Sequence, residues 1–174
     1  SSPGLKPWHT VELNEEFTVD MVTAEQVQTF ADYLALEERL FRQLEEDIYA
    51  DSETGPSHAL ERYSTGSAAD PEHRQPNWNR SFELIHPAAV GGVLLLHGMS
   101  DSPYSMRALA YALNEQGYHV IAQRSPGHGT VPSGLRSISW QDMAAAVGLA
   151  MQHLSTELDG RPVHMIGYSA GASL

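Results

Sequence analysis

The chain has 174 residues, is 41% hydrophobic and 18% charged, and carries a net charge of −12 from 10 Lys+Arg against 22 Asp+Glu. That length suits one domain with or without an appendage, and the apolar fraction excludes wholesale disorder. The acidic balance speaks against nucleic acid as a partner. The absence of cysteine excludes disulfides, thiolate metal sites and a Cys nucleophile, and fits a cytoplasmic chain and an exported, processed one equally. No apolar run approaches the roughly 18 residues of a membrane span, so no transmembrane segment is expected.

Charge is unevenly spread. Residues 1–90 carry 17 acids and 6 bases, whereas residues 91–174 carry 5 acids and 4 bases. The front therefore reads as an N-terminal extension (1–80) laid on a nearly neutral core (81–174). The chain opens Ser1-Ser2-Pro3-Gly4, which reads as a processed end. Val11–Leu13 and Phe17–Met21 alternate over short stretches and are expected to be edge strands or extended arms. A helix is expected from about Ala24 to Tyr49. Thr23 and Gln26 have capping-box spacing. Val27, Phe30, Leu34, Phe41, Leu44 and Ile48 form its apolar stripe, and Glu37, Glu38, Glu45, Glu46 and Asp47 are assigned to the wet face. Residues 51–79 hold Gly55-Pro56, Gly66, Asp70-Pro71 and Pro76-Asn77 and read as loop.

From Ser81 the rhythm changes. Phe82 and Leu84 alternate with polar neighbours as a strand does. His86-Pro87 to Gly91-Gly92 reads as a turn. Val93–Leu96 is a continuous apolar run, as in a strand buried on both faces. Ser102-Pro103 opens a helix whose Met106, Leu109, Ala110 and Leu113 share a face and which Gly117 ends. His119–Ala122 is the next strand, followed by a loop with Pro126, Gly127, Gly129, Pro132 and Gly134. Ser139 and Asp142 open another helix, closed by Gly160. Pro162–Ile166 is a further strand, ending at Gly167, with His164 read as a packed core residue. Helices alternating with buried strands predict an α/β fold, a mainly parallel sheet flanked by helices. Function in such sheets sits at the carboxyl ends of the strands. Here those ends are His97–Ser102, Gln123–Gly129 and Gly167–Gly171.

Gly167-Tyr168-Ser169-Ala170-Gly171 is a G-x-S-x-G placed directly after a strand. A serine held on so tight a turn has a strained backbone, and bulky residues two positions away would clash, hence the glycines. Its Oγ stands exposed at a helix start, where main-chain N–H groups favour developing negative charge. An acyl-transfer site needs two such donors. One comes from the residue after the nucleophile, here Ala170. The other comes from a loop after an earlier strand, for which the Met99 N–H of His97-Gly98-Met99 is the candidate.

Leu94–Met99, the helix after it, Gly117-Tyr118, Pro126-Gly127-His128-Gly129 and Gly167–Gly171 resemble the α/β-hydrolase superfamily, in its monoacylglycerol lipase, small carboxylesterase and serine aminopeptidase-like branch. The resemblance covers about residues 81–174. It implies Ser169 as nucleophile and Met99 and Ala170 as oxyanion donors through their backbones. It implies His97 as a brace for the oxyanion loop, supported by Gly98, Gly167 and Gly171, and His128 as part of the pocket rim.

That family orders its triad Ser, then Asp or Glu, then His. Only Ala170, Gly171, Ala172, Ser173 and Leu174 follow Ser169. The sheet is therefore expected to be incomplete at the C-terminus, with the acid and the histidine supplied by a complementary C-terminal segment or chain. Of the upstream histidines, His128, in the loop after a strand end, is the candidate to approach the cleft instead, against the triad's usual chain order, and Asp101 reads as a helix-entry charge. The expected activity is serine hydrolysis of a small-molecule ester or lipid through an acyl-enzyme, with Met99 and Tyr104 lining an apolar pocket. The alternatives are an amide or peptide hydrolase on the same fold and a non-catalytic binding protein. H-E-x-x-H, C-x-x-C, EF-hand, P-loop and dinucleotide motifs are missing, so no metal or cofactor is expected.

Overall fold

The computed structural model describes residues 16–46, 79–130 and 138–168. The Val11–Leu13 stretch, the helix tail at Ile48 and Tyr49, the loop 51–78, Pro132 and Gly134, and Ser169, Ala170 and Gly171 lie outside the described residues.

Among the described residues four strands form one sheet: β1 (Phe82–Leu84), β2 (Gly91–Leu96), β3 (Tyr118–Gln123) and β4 (Val163–Gly167). Their spatial order is β1-β3-β2-β4. β2 pairs in parallel with both β3 and β4, and β1 runs antiparallel to β3. The expected α/β architecture is present. β2 begins at Gly91, inside the segment expected to turn. Glycine is needed there, because a Cβ on Gly92 would lie 2.2 Å from Leu158 Cδ1 and one on Gly91 2.8 Å from the Pro162 carbonyl.

The helices among the described residues are α1 (Val19–Thr23), α2 (Phe30–Leu44), α3 (Arg107–Glu115, entered through a 3₁₀ turn at Pro103–Met106) and α4 (Trp140–Leu158). α3 joins β2 to β3 and α4 joins β3 to β4. The first crossover moves to one side of β2 and the second returns to the other. Right-handed connections then require the two helices on opposite faces. Accordingly Val93, Leu95, Val120 and Ala122 pack with Met106 and Ala110 on the α3 face. Leu94, Leu96 and Ile121 pack with Leu149, Ala150 and Leu154 of α4 and with Phe30, Tyr33 and Leu36 of α2 on the other. Every residue of β2 is buried, which is why its sequence is continuously apolar. Each large side chain so buried contributes about 1.5–3 kcal/mol.

Three expectations about the front segment are corrected. Phe17–Met21 is not extended: Val19–Thr23 is helical, with Thr18 at the N-cap. The long helix starts at Phe30 rather than Ala24. Glu25 adopts φ +59° and interrupts the run, and the capping box is Thr29 with Asp32, not Thr23 with Gln26. Asp32 takes both the Gln28 and Thr29 N–H groups, so a charged acceptor satisfies two orphan donors. Glu37 does not face water but is buried.

The Ser139–Asp142 box at α4 is present as expected. Asp142 Oδ1 also accepts the Val19 N–H at 2.8 Å, so one carboxylate caps α4 and α1 together. His164 is exposed rather than packed in the core, because β4 forms a sheet edge among the described residues. Met165 and Ile166 on the same strand are also exposed.

Gly148 lies in the interior of α4, and a Cβ built there meets nothing within 4 Å. Gly148→Ala should raise stability by about 0.5–1 kcal/mol, read as a higher urea midpoint at unchanged slope.

Candidate functional site

Strand order reverses beside β2, and in open α/β sheets ligands sit outside the carboxyl ends at such a reversal. The β2 end and the β4 end are immediate neighbours. Leu96 pairs with Gly167, and the Tyr168 N–H donates to the Leu96 carbonyl at 3.0 Å. Tyr168 is the last described residue before Ser169.

After β2 the chain makes a four-residue turn. The Asp101 N–H donates to the Gly98 carbonyl at 3.2 Å, and Ser100 sits at φ +61°, a conformation an L side chain takes only under constraint. The Gly98 carbonyl also accepts from His97 Nδ1 at 2.9 Å. Two donors thus fix the direction of that carbonyl. A trans peptide is planar, so its N–H points opposite to its C=O. The Met99 N–H is therefore aimed away from His97 and Asp101. Among the described residues no hydrogen bond engages it. Met99 is 53% exposed.

His97 is buried, and its ring state follows from its partners. Nε2 accepts the Ser125 N–H at 3.0 Å. That leaves the proton on Nδ1, where it serves the Gly98 carbonyl. Burial drives its pKa down to about 4. His97 thus ties the β2 loop to the β3 loop as a neutral imidazole. The His128 ring lies 5.1 Å from the His97 ring. His128 is buried, its Nδ1 faces the Pro126 carbonyl at 2.9 Å, and burial lowers its pKa. It is held against the backbone of its own loop.

The β3 loop has a support that sequence reasoning missed. Arg124, 1% exposed, follows β3 directly. Its guanidinium meets Glu16 through two bonds, NH1–Oε1 at 2.8 Å and NH2–Oε2 at 3.0 Å. Its Nε donates to Glu37 Oε2 at 3.2 Å. NH1 also donates to the Ser125 and His128 carbonyls. Glu16 accepts the Gly127 N–H as well. Glu37 takes the Ser81 N–H and hydroxyl, each at 2.7 Å, and the Tyr33 hydroxyl donates to the Arg124 carbonyl at 2.5 Å. Burial alone would lower the Arg124 pKa, but Glu16, Tyr33 and Glu37 outweigh it and the net shift is upward. Burial pushes Glu37 up, against the Arg124 charge and the Ser81 bonds. The available signal was a lone arginine continuing an apolar strand run, His119–Gln123.

Asp101 is exposed and accepts the Ser102 N–H at 2.8 Å, at the helix entry. Ser102 precedes Pro103 as expected but does not cap; its hydroxyl donates to Asn79 Oδ1 instead. Gly98 is buried and Gly167 half-buried.

The family model described as Hydrolase_4, serine aminopeptidase S33, matches residues 87–174, half of the chain. The chain belongs to this family. It is part of an S33-type α/β-hydrolase. A thermostable monoacylglycerol lipase from Bacillus sp. (strain H-257) is 43% identical over 56 residues, covering 32% of this chain and 22% of that lipase. A solved chain from work on LipS and LipT, two metagenome-derived lipolytic enzymes, is 32% identical with a TM-score of 0.48, covering 55% of this chain and 38% of its own. The chain thus spans well under half of either relative.

Two outcomes test the site's supports in the full-length S33 protein. Arg124→Met should cost about 3–5 kcal/mol in denaturant unfolding, because it strands the buried Glu37 carboxylate and the partly buried Glu16 carboxylate. His97 has a folded pKa of about 4 against 6.5 when unfolded. The unfolded chain therefore takes up its proton first as pH falls. The stability His97 contributes is complete above about pH 6.5, falls toward pH 4 by roughly 2–4 kcal/mol, and is level below that. In His97→Gln that part of the pH slope should vanish, as read from urea midpoints across the range.

Proposed function

We propose that the chain is part of a serine hydrolase cleaving carboxylic esters, with Ser169 as nucleophile and the Met99 and Ala170 N–H groups as oxyanion donors. The observation that carries the reading is the Gly98–Met99 peptide. Its carbonyl is occupied by two donors, and its N–H, without a partner among the described residues, lies beside the strand end that leads into Gly167-Tyr168-Ser169-Ala170-Gly171. The Ser125 N–H, at the neighbouring strand end, is already used by His97. Met99 is accordingly the donor of choice.

In the proposed reaction Ser169 Oγ bonds to the acyl carbon while a histidine takes the hydroxyl proton. The oxyanion collapses, the ester C–O bond breaks, and the histidine returns the proton to the departing alcohol. Water then repeats the sequence on the acyl-enzyme and frees the acid and Ser169. The acid and the histidine follow the nucleophile in chain order in such enzymes. None of residues 170–174 is of either type, so the complementary C-terminal part supplies them in this reading. His97 acts as a positioning residue through the Gly98 carbonyl. The substrate is a small ester or lipid, in keeping with the similarity to a monoacylglycerol lipase. The family description, serine aminopeptidase, makes amide cleavage the second reading.

The test uses full-length protein with a fluorophosphonate probe and a panel of p-nitrophenyl esters against aminoacyl anilides. Ser169→Ala should abolish labelling and lower ester turnover at least about 10⁴-fold. Labelling that survives the substitution overturns the assignment. His97→Ala should lower kcat roughly 10–100-fold with KM little changed, since it acts through a transition-state donor.

A further inference from the structure

At the amino end of the strands, away from the loops described above, three side chains from three elements converge. Glu83 of β1 accepts from His119 Nε2 of β3 at 2.6 Å and from His153 Nε2 of α4 at 2.8 Å, both on the same oxygen, Oε2. The three groups each offer one ligand atom, and these atoms all lie within 4.8 Å of one another. The side chains of His119, Glu83 and His153 are 6%, 24% and 30% exposed. The cluster is therefore walled by protein on one side and open to solvent on the other. A surface cavity of about 290 Å³, lined by Phe30, Leu149, His153 and Thr156 among others, opens beside it. The His153 ring is itself set against Phe30, centroids 5.3 Å apart.

We propose that Glu83, His119 and His153 form a binding site for one divalent d-block cation of the zinc type. Two imidazoles and one carboxylate are the donor mix such ions take, and three protein ligands leave a fourth position for water. Zn–N and Zn–O bonds of about 2.0–2.2 Å set the donors of a tetrahedral ion roughly 3.3 Å apart. To admit the ion, the His119 contact to Glu83, now 2.6 Å, lengthens by about 0.7 Å and the His153 contact, now 2.8 Å, by about 0.5 Å. In both contacts it is Nε2 that faces Oε2. On binding, a proton held on Nε2 leaves it, for Nδ1 or for solvent, and the freed Nε2 lone pair enters the metal shell. The dyad of hydrogen bonds becomes a three-way clasp joining the edge strand β1 to β3 and α4.

The experiment takes full-length protein, strips it with a chelator, and titrates it with zinc by calorimetry and by thermal unfolding. One zinc per chain and a zinc-dependent rise in Tm are expected. His153→Gln, at a half-exposed helix position, should keep the fold and weaken zinc binding by at least about tenfold, abolishing the Tm rise. Glu83→Gln should do the same, while His164→Gln, on exposed β4, should bind as wild type does. Unchanged zinc affinity in His153→Gln, or no zinc-dependent Tm rise in the wild type, overturns the proposal and leaves the three residues as a hydrogen-bonded structural cluster.

Discussion

A guanidinium removed from water must find anions and acceptors for its five N–H donors, or its burial is prohibitively unfavourable. Arg124 meets that demand with two carboxylates and two carbonyls. Both carboxylates come from the front of the chain, Glu16 ahead of α1 and Glu37 in α2. The charge therefore dictates how the front segment sits: α2 has to present Glu37 inward between Leu36 and Leu40, and Phe17 has to follow Glu16 into the core. A buried ion pair is weak evidence for net stability, since apolar residues of equal volume often do as well. What it supplies here is geometric. Glu16 also holds the Gly127 N–H and Arg124 holds the Ser125 and His128 carbonyls, so one ionic cluster sets the course of the loop after β3.

That loop in turn reaches the neighbouring one. Ser125 donates to His97, His97 donates to the Gly98 carbonyl, and the Gly98–Met99 peptide is oriented by its own planarity. A continuous series of hydrogen bonds thus runs from Glu16 to the Met99 amide. Each link has a fixed donor and a fixed acceptor, and a single tautomer of His97 satisfies both of its neighbours. Depressing the His97 pKa is part of the same arrangement. A protonated ring would have no acceptor for the Ser125 N–H, so burial that keeps the imidazole neutral also keeps the loops joined.

The sheet was legible in the sequence because its signals are local. Continuous apolar runs of strand length, Gly117 and Gly160 after helices, and the Ser139–Asp142 box each follow from a few adjacent residues. The start of α2 was misread because two threonines offered similar spacing. Asp32, short and charged, won over Gln26, and the left-handed Glu25 prevented the helix from extending back. Glu37 was assigned to water because one acidic residue looks like another in a helix. Only Arg124, 87 residues further on, distinguishes it. His164 failed for a different reason: alternation predicts which residues share a face, not whether anything covers that face. The residues proposed for acyl transfer were legible as a motif because the turn that presents a hydroxyl needs small neighbours close by in sequence.

The cluster at the other end of the sheet shows why linear motifs miss some sites. Metal signatures of the H-E-x-x-H kind depend on one helix holding both histidines. Here the spacing is supplied by strand register instead. β1 pairs antiparallel with β3, and Glu83 faces Ile121 directly. His119, two residues from Ile121, is therefore the diagonal neighbour of Glu83 on the same face. Had β1 run in register one residue over, Glu83 would point to the α3 face, among Leu95 and Val120, and the two histidines would lose their acceptor. Among the described residues β1 is an edge strand, and an inward-facing charge there also discourages pairing with another chain. The same carboxylate thus fixes the register of β1, blunts the edge it forms, and brings together two imidazoles that lie 34 residues apart in the chain.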